Sequence, residues 1–187
     1  IPVTVYYQDK DGYIVPITRN IVKQVGIARA AVRALIDNSI NREELQYYHL
    51  YPVLPSETEV LGLNIKDGTA IIDFNEGILG YSDAASERNI ILGVVYTLTE
   101  FKTVDGVKIL INGREQDRLK YNTGVSGVLS RDNILINSEN VNLSQGKSKL
   151  DIYLFGSRNE NISYLIPFSK EVTDVGEEFM PAKVIEL

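Results

Sequence analysis

Residues 3–22 read VTVYYQDKDGYIVPITRNIV, and residues 150–172 read LDIYLFGSRNENISYLIPFSKEV. Both stretches alternate apolar and polar residues around a turn, which is the pattern of a β-hairpin. They share a tyrosine, a proline and a hydroxyl residue followed by a base: Tyr6, Pro16, Thr18 and Arg19 in the first, and Tyr153, Pro167, Ser169 and Lys170 in the second. The second copy has four extra residues between its tyrosine and its proline. This recurrence indicates an internal duplication of one fold unit.

The duplication predicts how the chain is divided. The match continues between two sets of apolar residues: Ala30, Val32 and Leu35 in the first copy, and Ala182, Val184 and Leu187 in the second. We therefore expect a first domain over residues 1–118, a connector over 119–149 with a short strand at Asn133–Asn137, and a truncated second copy over 150–187. A truncated copy would expose its core face, so we expect it to lean on the first domain or on a partner chain.

Strand signals recur along the first domain. Val3–Tyr7 and Tyr13–Thr18 predict one hairpin, and residues 60–74, with an Asp-Gly turn, predict a second. Pro16 cannot donate to a ladder, which places its strand at an edge or a bulge. A further strand is predicted at Val107–Ile111, closed by an Asn-Gly turn.

Two segments have helical spacing of apolar residues. The first is predicted from Gln24 to Ile36, with Val25 in its apolar stripe, and the second begins at a Ser82 cap and runs to about residue 100. Gly93 lies inside the second helix, where glycine is unfavourable, so we expect another backbone to pass close to it. The order of elements predicts an α+β fold with two helices packed on one face of a small mixed or antiparallel sheet.

The composition excludes several classes of function. The 187 residues carry 19 basic and 25 acidic side chains, a net charge of −6 that argues against nucleic-acid binding. Cysteine is absent, which removes disulfides and thiolate chemistry. No stretch approaches the roughly 20 apolar residues of a membrane span. The chain lacks an initiating Met and a signal peptide and starts and stops inside apolar patterns, so we expect a fragment with any anchor outside it.

Candidate catalytic residues lack a reactive context. His49 is the single histidine, without a nucleophile elbow or metal-ligand spacing around it, and is expected to be an ordinary surface or partly packed side chain. The densest acids are expected to have structural roles: Asp67, Asp73, Glu76, Asp83 and Glu87. The glycines match no phosphate-binding loop. The sequence therefore predicts no catalytic, cofactor or metal site.

One aromatic loop and two arginines are the candidate interaction residues. Tyr47, Tyr48 and Tyr51 follow the first predicted helix, and tyrosine is enriched at interfaces. These rings either cover a sheet edge and the helix ends or form a contact surface. Arg29 and Arg33, one turn apart on the exposed helix face, either pair with a neighbouring subunit or stay solvated.

The sequence resembles the GerMN domain family. The likeness is carried by residues 3–21, by VLGLNIKDGTAIIDF and, most specifically, by VYTLTEFKTVDGVKILINGRE at Val95–Glu115. It covers residues 1 to about 118 in full and 150–187 as a truncated second copy. The resemblance implies a small α+β unit similar to the ring-building motifs of secretion systems. It also implies a lipoprotein whose anchoring cysteine lies outside this chain.

What the resemblance implies is a non-enzymatic module without cofactors. The family is associated with the envelope complex between mother cell and forespore and with later germination. We therefore expect extracytoplasmic location, a membrane anchor, and partners among the proteins of that complex or a second copy of this chain. Two alternatives remain: a domain that binds peptidoglycan fragments through the Tyr47–Tyr51 loop, and, least favoured, a hydrolase.

Overall fold

The computed structural model describes residues 1–159 and 162–173, and it confirms the α+β class predicted from the sequence. These residues form β1 (Pro2–Asp9), β2 (Ile14–Asn20), α1 (Ile27–Arg33), α2 (Ser39–Gln46), β3 (Leu50–Tyr51), β4 (Val60–Lys66), β5 (Thr69–Phe74), a 3₁₀ helix (Glu76–Leu79), α3 (Ala84–Leu98), β6 (Gly106–Ile111), β7 (Arg114–Glu115), β8 (Ser148–Asn159) and β9 (Ile162–Val172). No helix in this described part is long and apolar enough to cross a membrane.

The strands are divided among three small sheets. Their orders are β2-β1-β3, β4-β5-β6-β7 and β8-β9. β5 and β6 run parallel, with α3 crossing between them, and the other pairs are antiparallel. The second sheet is therefore mixed, as expected. β2, which contains Pro16, lies at a sheet edge, where a missing N–H breaks no ladder.

α3 is the central helix of the core. Every residue from Ile90 to Leu98 is buried, as expected of a helix that is apolar on all sides. A Cβ at Gly93 would lie 3.2 Å from the Tyr6 carbonyl oxygen and 2.6 Å from Val53 Cγ2, which confirms the predicted close approach. The helix is capped by Asp83, not by Ser82, because the Asp83 carboxylate accepts from the Ser86 amide at 2.8 Å.

The first predicted helix is shorter than expected, and a second one follows it. Gly26 adopts a left-handed φ of 80°, so the helical spiral begins only after it and Val25 is fully exposed. The chain then turns at residues 36–38 and enters α2, where Asn38 Oδ1 accepts from the Asn41 amide at 2.9 Å. α2 was not predicted, because only Asn41 and Leu45 in it are buried and the apolar periodicity is weak.

The two hairpins of the repeat have the same register. Tyr6 lies opposite Pro16 in β1–β2, and Tyr153 lies opposite Pro167 in β8–β9. The four extra residues of the second copy therefore lie beyond the Tyr–Pro pair, on the side of the turn, where the register of β8–β9 also shifts between Ser157 and Asn159. The continuation of the match, Ala182 to Leu187, lies outside the described residues.

The segment 119–149 packs into the core of the first unit. Five of its apolar residues are buried in the same cluster as α3: Val125, Leu129, Ile134, Ile136 and Val141. The short strand predicted at Asn133–Asn137 is wrong, since Ile134 makes only an isolated bridge with Asn142. The extended run cannot continue because Asn137 has a left-handed φ of 54°.

The Asn137 side chain joins the second hairpin to the first. It accepts from the Ile14 amide at 2.6 Å and donates to the carbonyls of Ile14 and Pro167 at 2.9 and 2.7 Å. The rings of Tyr13 and Phe168 also meet edge to face, 5.1 Å apart. The predicted leaning of the second copy on the first domain is therefore present.

Candidate functional site

The aromatic loop follows α2 and is held by β3. Leu50 and Tyr51 pair with the end of β1, which fixes the loop against the first sheet. Tyr48 is half-buried and packs against the core, whereas Tyr47 and Tyr51 are 70% and 50% exposed. The rings of Tyr47 and Tyr48 meet edge to face at 5.2 Å. One ring of the loop therefore packs against the core and two are exposed, and a contact surface at Tyr47 and Tyr51 stays a prediction.

A cleft of about 780 Å³ lies beside this loop. We call it the tyrosine cleft; its lining includes Gln8, Asp37, Arg42, Glu43, His49 and Tyr51. Tyr47 and Tyr48 do not line it. Arg42 donates to both carboxylate oxygens of Asp37, and this contact raises the pKa of Arg42. The cleft therefore offers one aromatic face with paired charges and amides.

The two candidate arginines lie in a different cleft. This second space, of about 510 Å³, we call the arginine cleft; its lining includes Arg29, Arg33, Asn38, Thr58, Glu59 and Leu61. The two clefts lie on either side of the turn between α1 and α2, since residues 36 and 38 line one and residues 37 and 39 the other. The structure does not bring the tyrosines and arginines together into one site.

Arg29 and Arg33 have different surroundings. The Arg29 guanidinium is half-buried and donates to the main-chain carbonyls of Val60 and Leu61, at the start of β4. Arg33 is exposed and makes no ion pair among residues 1–159 and 162–173. Arg29 is thus a positioned group, and Arg33 is an exposed charge that lines the same cleft.

Thr58 was not predicted from the sequence as a site residue. It stands in a polar stretch before β4 with no periodicity to mark it, yet it is only 4% exposed and lines the arginine cleft. Its burial follows from the turn at residues 55–58, where the Thr58 amide donates to the Pro55 carbonyl at 3.0 Å. A sequence pattern gives no signal for a threonine placed in this way.

Glu87, on α3, is a fully buried carboxylate with a structural role. It accepts from the Tyr81 hydroxyl at 2.7 Å and from the amides of Tyr121 and Thr123 at 2.7 and 2.9 Å. Burial acts to raise the pKa of Glu87, but the hydrogen bonds from Thr123, Tyr121 and Tyr81 outweigh it, and the pKa is lowered. The ionised carboxylate fastens residues 121–123 to α3.

Arg131 has a comparable role at the other end of α3. Its guanidinium lies 4.8 Å from the Tyr96 ring and 5.6 Å from the Tyr6 ring, and it pairs with Glu100. Burial raises the pKa of Tyr96 to about 12, so this phenol stays neutral at physiological pH. The cluster attaches the segment 119–149 to β1 and α3 through cation–π contact and charge-assisted hydrogen bonds.

His49 is exposed on the rim of the tyrosine cleft and has a left-handed φ of 52°. We predict that His49→Ala changes the free energy of unfolding by less than about 0.5 kcal/mol, because the side chain is on the surface. His49→Gly should instead stabilise the protein by about 0.5–1 kcal/mol, since glycine adopts this φ without strain. Urea unfolding of both variants measures the difference, and a loss of more than about 1 kcal/mol in the alanine variant would show a packing role.

The described part of the chain contains no group of three or more His, Cys, Asp or Glu residues placed to hold a metal ion. The acids singled out from the sequence have structural positions: Asp67 lies in the turn between β4 and β5, and the others accept hydrogen bonds within the fold. Asp83 caps α3, and hydrogen bonds from Ser86 lower its pKa. Asp73 Oδ1 accepts from the Gly113 amide at 2.8 Å in the turn after β6.

Comparisons with known proteins agree with the described fold. The chain is 33% identical over 184 residues to the spore germination protein GerM of Bacillus subtilis, and it spans half the length of that relative. The tandem GerMN domains of Bacillus subtilis GerM superpose with a TM-score of 0.82 at 30% identity, over 98% of this chain and 65% of that one. The first GerMN domain alone gives a TM-score of 0.65 at 35% identity, over 70% of this chain and 98% of that one.

The family model whose description is sporulation and spore germination matches residues 4–117, from β1 to just beyond β7. These residues include the tyrosine cleft, the arginine cleft and the whole of α3. Because the match covers more than half of the chain, the protein belongs to the Germane family of sporulation and spore germination.

Proposed function

We propose that this chain is a non-enzymatic interaction module of the sporulation envelope complex between mother cell and forespore, with a further effect on germination. Membership of a sporulation and germination family supports the biological setting. In this proposal the chain acts outside the cytoplasm and is held at the membrane by a lipid anchor beyond these residues. Its partners are other proteins of the complex or further copies of itself, arranged as ring-building motifs are.

The observation that carries the proposal is the exposure of large apolar side chains on the two hairpin-bearing units. Tyr47 and Tyr51 project from the first unit, and Tyr153 and Phe155, the latter 82% exposed, project from β8. Exposed aromatic side chains are a common mark of protein contact surfaces. Duplicated units that offer such surfaces are suited to assembly.

The experiment is photo-crosslinking in sporulating cells of the organism that makes the protein. A photoreactive amino acid replaces Tyr47, Tyr51 or Phe155, one at a time, and Lys102, exposed in the turn after α3, serves as the control position. We expect discrete crosslinked products from at least one aromatic position and none from Lys102. Products of equal yield at all four positions, or at none, would contradict the proposal.

A second candidate function is the binding of peptidoglycan fragments. The tyrosine cleft favours it, because a volume of about 780 Å³ with an aromatic face and nearby amides and charges fits a small polar ligand. Titration with soluble muropeptides, followed by the intrinsic fluorescence of tyrosine, tests this function. Saturable binding that Tyr51→Ala removes and Tyr153→Ala retains would favour it over a purely structural role.

A further inference from the structure

We propose that the arginine cleft binds a carboxylate carried by an extended acidic peptide of a partner protein, and that this peptide pairs with the free edge of β4. The inference rests on the proposed function and deepens it, since it names one contact surface and the chemistry of its partner. Three observations carry it: buried donors without partners, a local positive charge, and an open strand edge that leads out of the cleft.

Two buried polar atoms in the cleft have no hydrogen-bond partner among the described residues. They are Arg29 Nε and Thr58 Oγ1; the third such atom, the Tyr96 hydroxyl oxygen, lies elsewhere in the core. Buried polar groups are nearly always paired, so two orphans in one cleft indicate a missing partner. An arginine Nε can only donate, and a threonine hydroxyl can donate. A carboxylate, with two acceptor oxygens, is the kind of group that can accept from such donors.

The Arg29 guanidinium is already positioned for this role. Its terminal nitrogen donates to the carbonyls of Val60 and Leu61, which holds the side chain across the start of β4. The guanidinium is therefore already oriented before a ligand binds. A preorganised guanidinium loses little freedom on binding, and charge-assisted hydrogen bonds to a carboxylate are among the strong ones.

The charge of the cleft is opposite to that of the whole chain. The protein has a net charge of −6, yet the ionisable groups that line this cleft are Arg29, Arg33 and Glu59. Two cations and one anion leave a local charge of +1, and Arg33 has no ion pair within the described chain. An acidic ligand is therefore favoured here, and Glu59 is the one group that opposes it.

The proposed binding site continues beyond the cleft along the edge of β4. Among residues 1–159 and 162–173, β4 is the outer strand of its sheet, and a bulge between Val60 and Gly62 lies where the strand leaves the cleft. The neighbouring groove, of about 830 Å³, continues from Arg29 and Arg33 along Leu63–Ile65. An unpaired strand edge is a template for an added strand, with main-chain hydrogen bonds giving affinity and a side-chain site giving selectivity.

The test uses the full 187-residue chain and synthetic pentapeptides of alternating Thr and Val with blocked ends. One peptide carries a central Glu, a matched peptide carries Gln there, and a third lacks Glu but has a free C-terminal carboxylate. Binding is followed by amide chemical shifts in NMR spectra. We expect the Glu peptide or the free-acid peptide to bind about tenfold more tightly than the Gln peptide, with shifts at residues 58–66. Which of the two binds identifies the carboxylate source.

Four variants make the result specific. Arg33→Ala and Thr58→Val should remove most of the preference for the carboxylate, and Glu59→Gln should increase the affinity about threefold. Arg42→Ala, an exposed arginine of the tyrosine cleft, is the matched control and should change nothing. Failure of both the Glu peptide and the free-acid peptide to bind more tightly than the Gln peptide, or a preference that survives both Arg33→Ala and Thr58→Val, would overturn the inference. So would sodium acetate binding as tightly as the peptides, because the cleft would then be an ion site only.

These outcomes are distinct from a failure of the proposed function. If the peptides do not bind but Tyr47, Tyr51 or Phe155 still crosslinks to partners in cells, the interaction module stands and the carboxylate site is wrong. If the peptides bind with the expected selectivity but no aromatic position crosslinks, the carboxylate site stands and the aromatic contact surfaces of the proposed module are wrong.

Discussion

Glu87→Ala is expected to lower the free energy of unfolding by about 3 kcal/mol or more, because it leaves several buried donors without an acceptor. The carboxylate of Glu87 accepts from the Tyr81 hydroxyl and from the amides of Tyr121 and Thr123, and its side chain is inaccessible to solvent. Urea unfolding followed by circular dichroism measures the loss.

The matched control is Glu43→Ala, which removes an exposed helical glutamate from α2. This variant should remain within about 0.5 kcal/mol of the original chain, as surface substitutions usually do. If both variants lose the same free energy of unfolding, the Glu87 carboxylate does not attach residues 121–123 to α3.

Glu87 also predicts the direction of acid sensitivity. Its folded-state pKa lies below the ordinary value of 4.5, so its contribution to stability is complete above that pH. The contribution is lost as the pH falls through the depressed folded pKa, when the carboxylate becomes protonated. Unfolding curves between pH 7 and about pH 3 should show that the free energy of unfolding falls less in Glu87→Gln than in the original chain. An identical pH dependence would contradict this assignment.

Leu98→Ala is the second large effect, with an expected loss of about 2–5 kcal/mol. Leu98 lies at the end of α3, has no solvent exposure, and belongs to the same core cluster as the strands of both main sheets. Removing its side chain leaves a cavity that the surrounding helices and strands can only partly close.

Leu61→Ala is the control for Leu98→Ala, since it removes the same atoms from an exposed position on β4. We expect it to cost less than about 1 kcal/mol. Thermal unfolding of the two variants side by side measures the difference. Similar losses at both positions would show that α3 is not the centre of the core.

The elements with strong periodicity were predictable. The hairpin β1–β2 has apolar strand residues on either side of an Asp-Gly turn, and the stripe from Ile91 to Leu98 identifies α3 without tertiary information. The repeat of Tyr and Pro also carried the register of β8–β9, because the two residues are cross-strand partners in both copies. In these elements local pattern and final environment agree.

The rest depended on tertiary contacts that leave little trace in the sequence. α2 is held by an Asn38 cap and by Leu45, which gives too few buried positions to form a stripe. The segment 119–149 looks polar, yet its scattered apolar residues are buried because side chains such as Asn142 satisfy its backbone, donating to and accepting from Gly124. Irregular segments of this kind have no period to detect.

The candidate residues could be identified from the sequence, but their surroundings could not. Tyrosine-rich composition pointed to the loop after α2, and helical spacing placed Arg29 and Arg33 on one side of α1. Their separation into two clefts arises from the turn at residues 36–38, and the burial of Thr58 arises from the turn before β4. Neither turn has a sequence pattern that predicts the surroundings of the residues on either side of it.

The most direct test of the central claim, that this chain acts through its surfaces, is a chimera in sporulating Bacillus subtilis. The chain replaces the matching half of GerM, and the yield of heat-resistant spores and their germination are measured. A folded variant with Tyr47→Ser, Tyr51→Ser and Arg33→Ser should lose the function that the unsubstituted chimera supports, whereas Lys102→Ser should retain it. Normal spore yield and germination in the triple surface variant would contradict the claim.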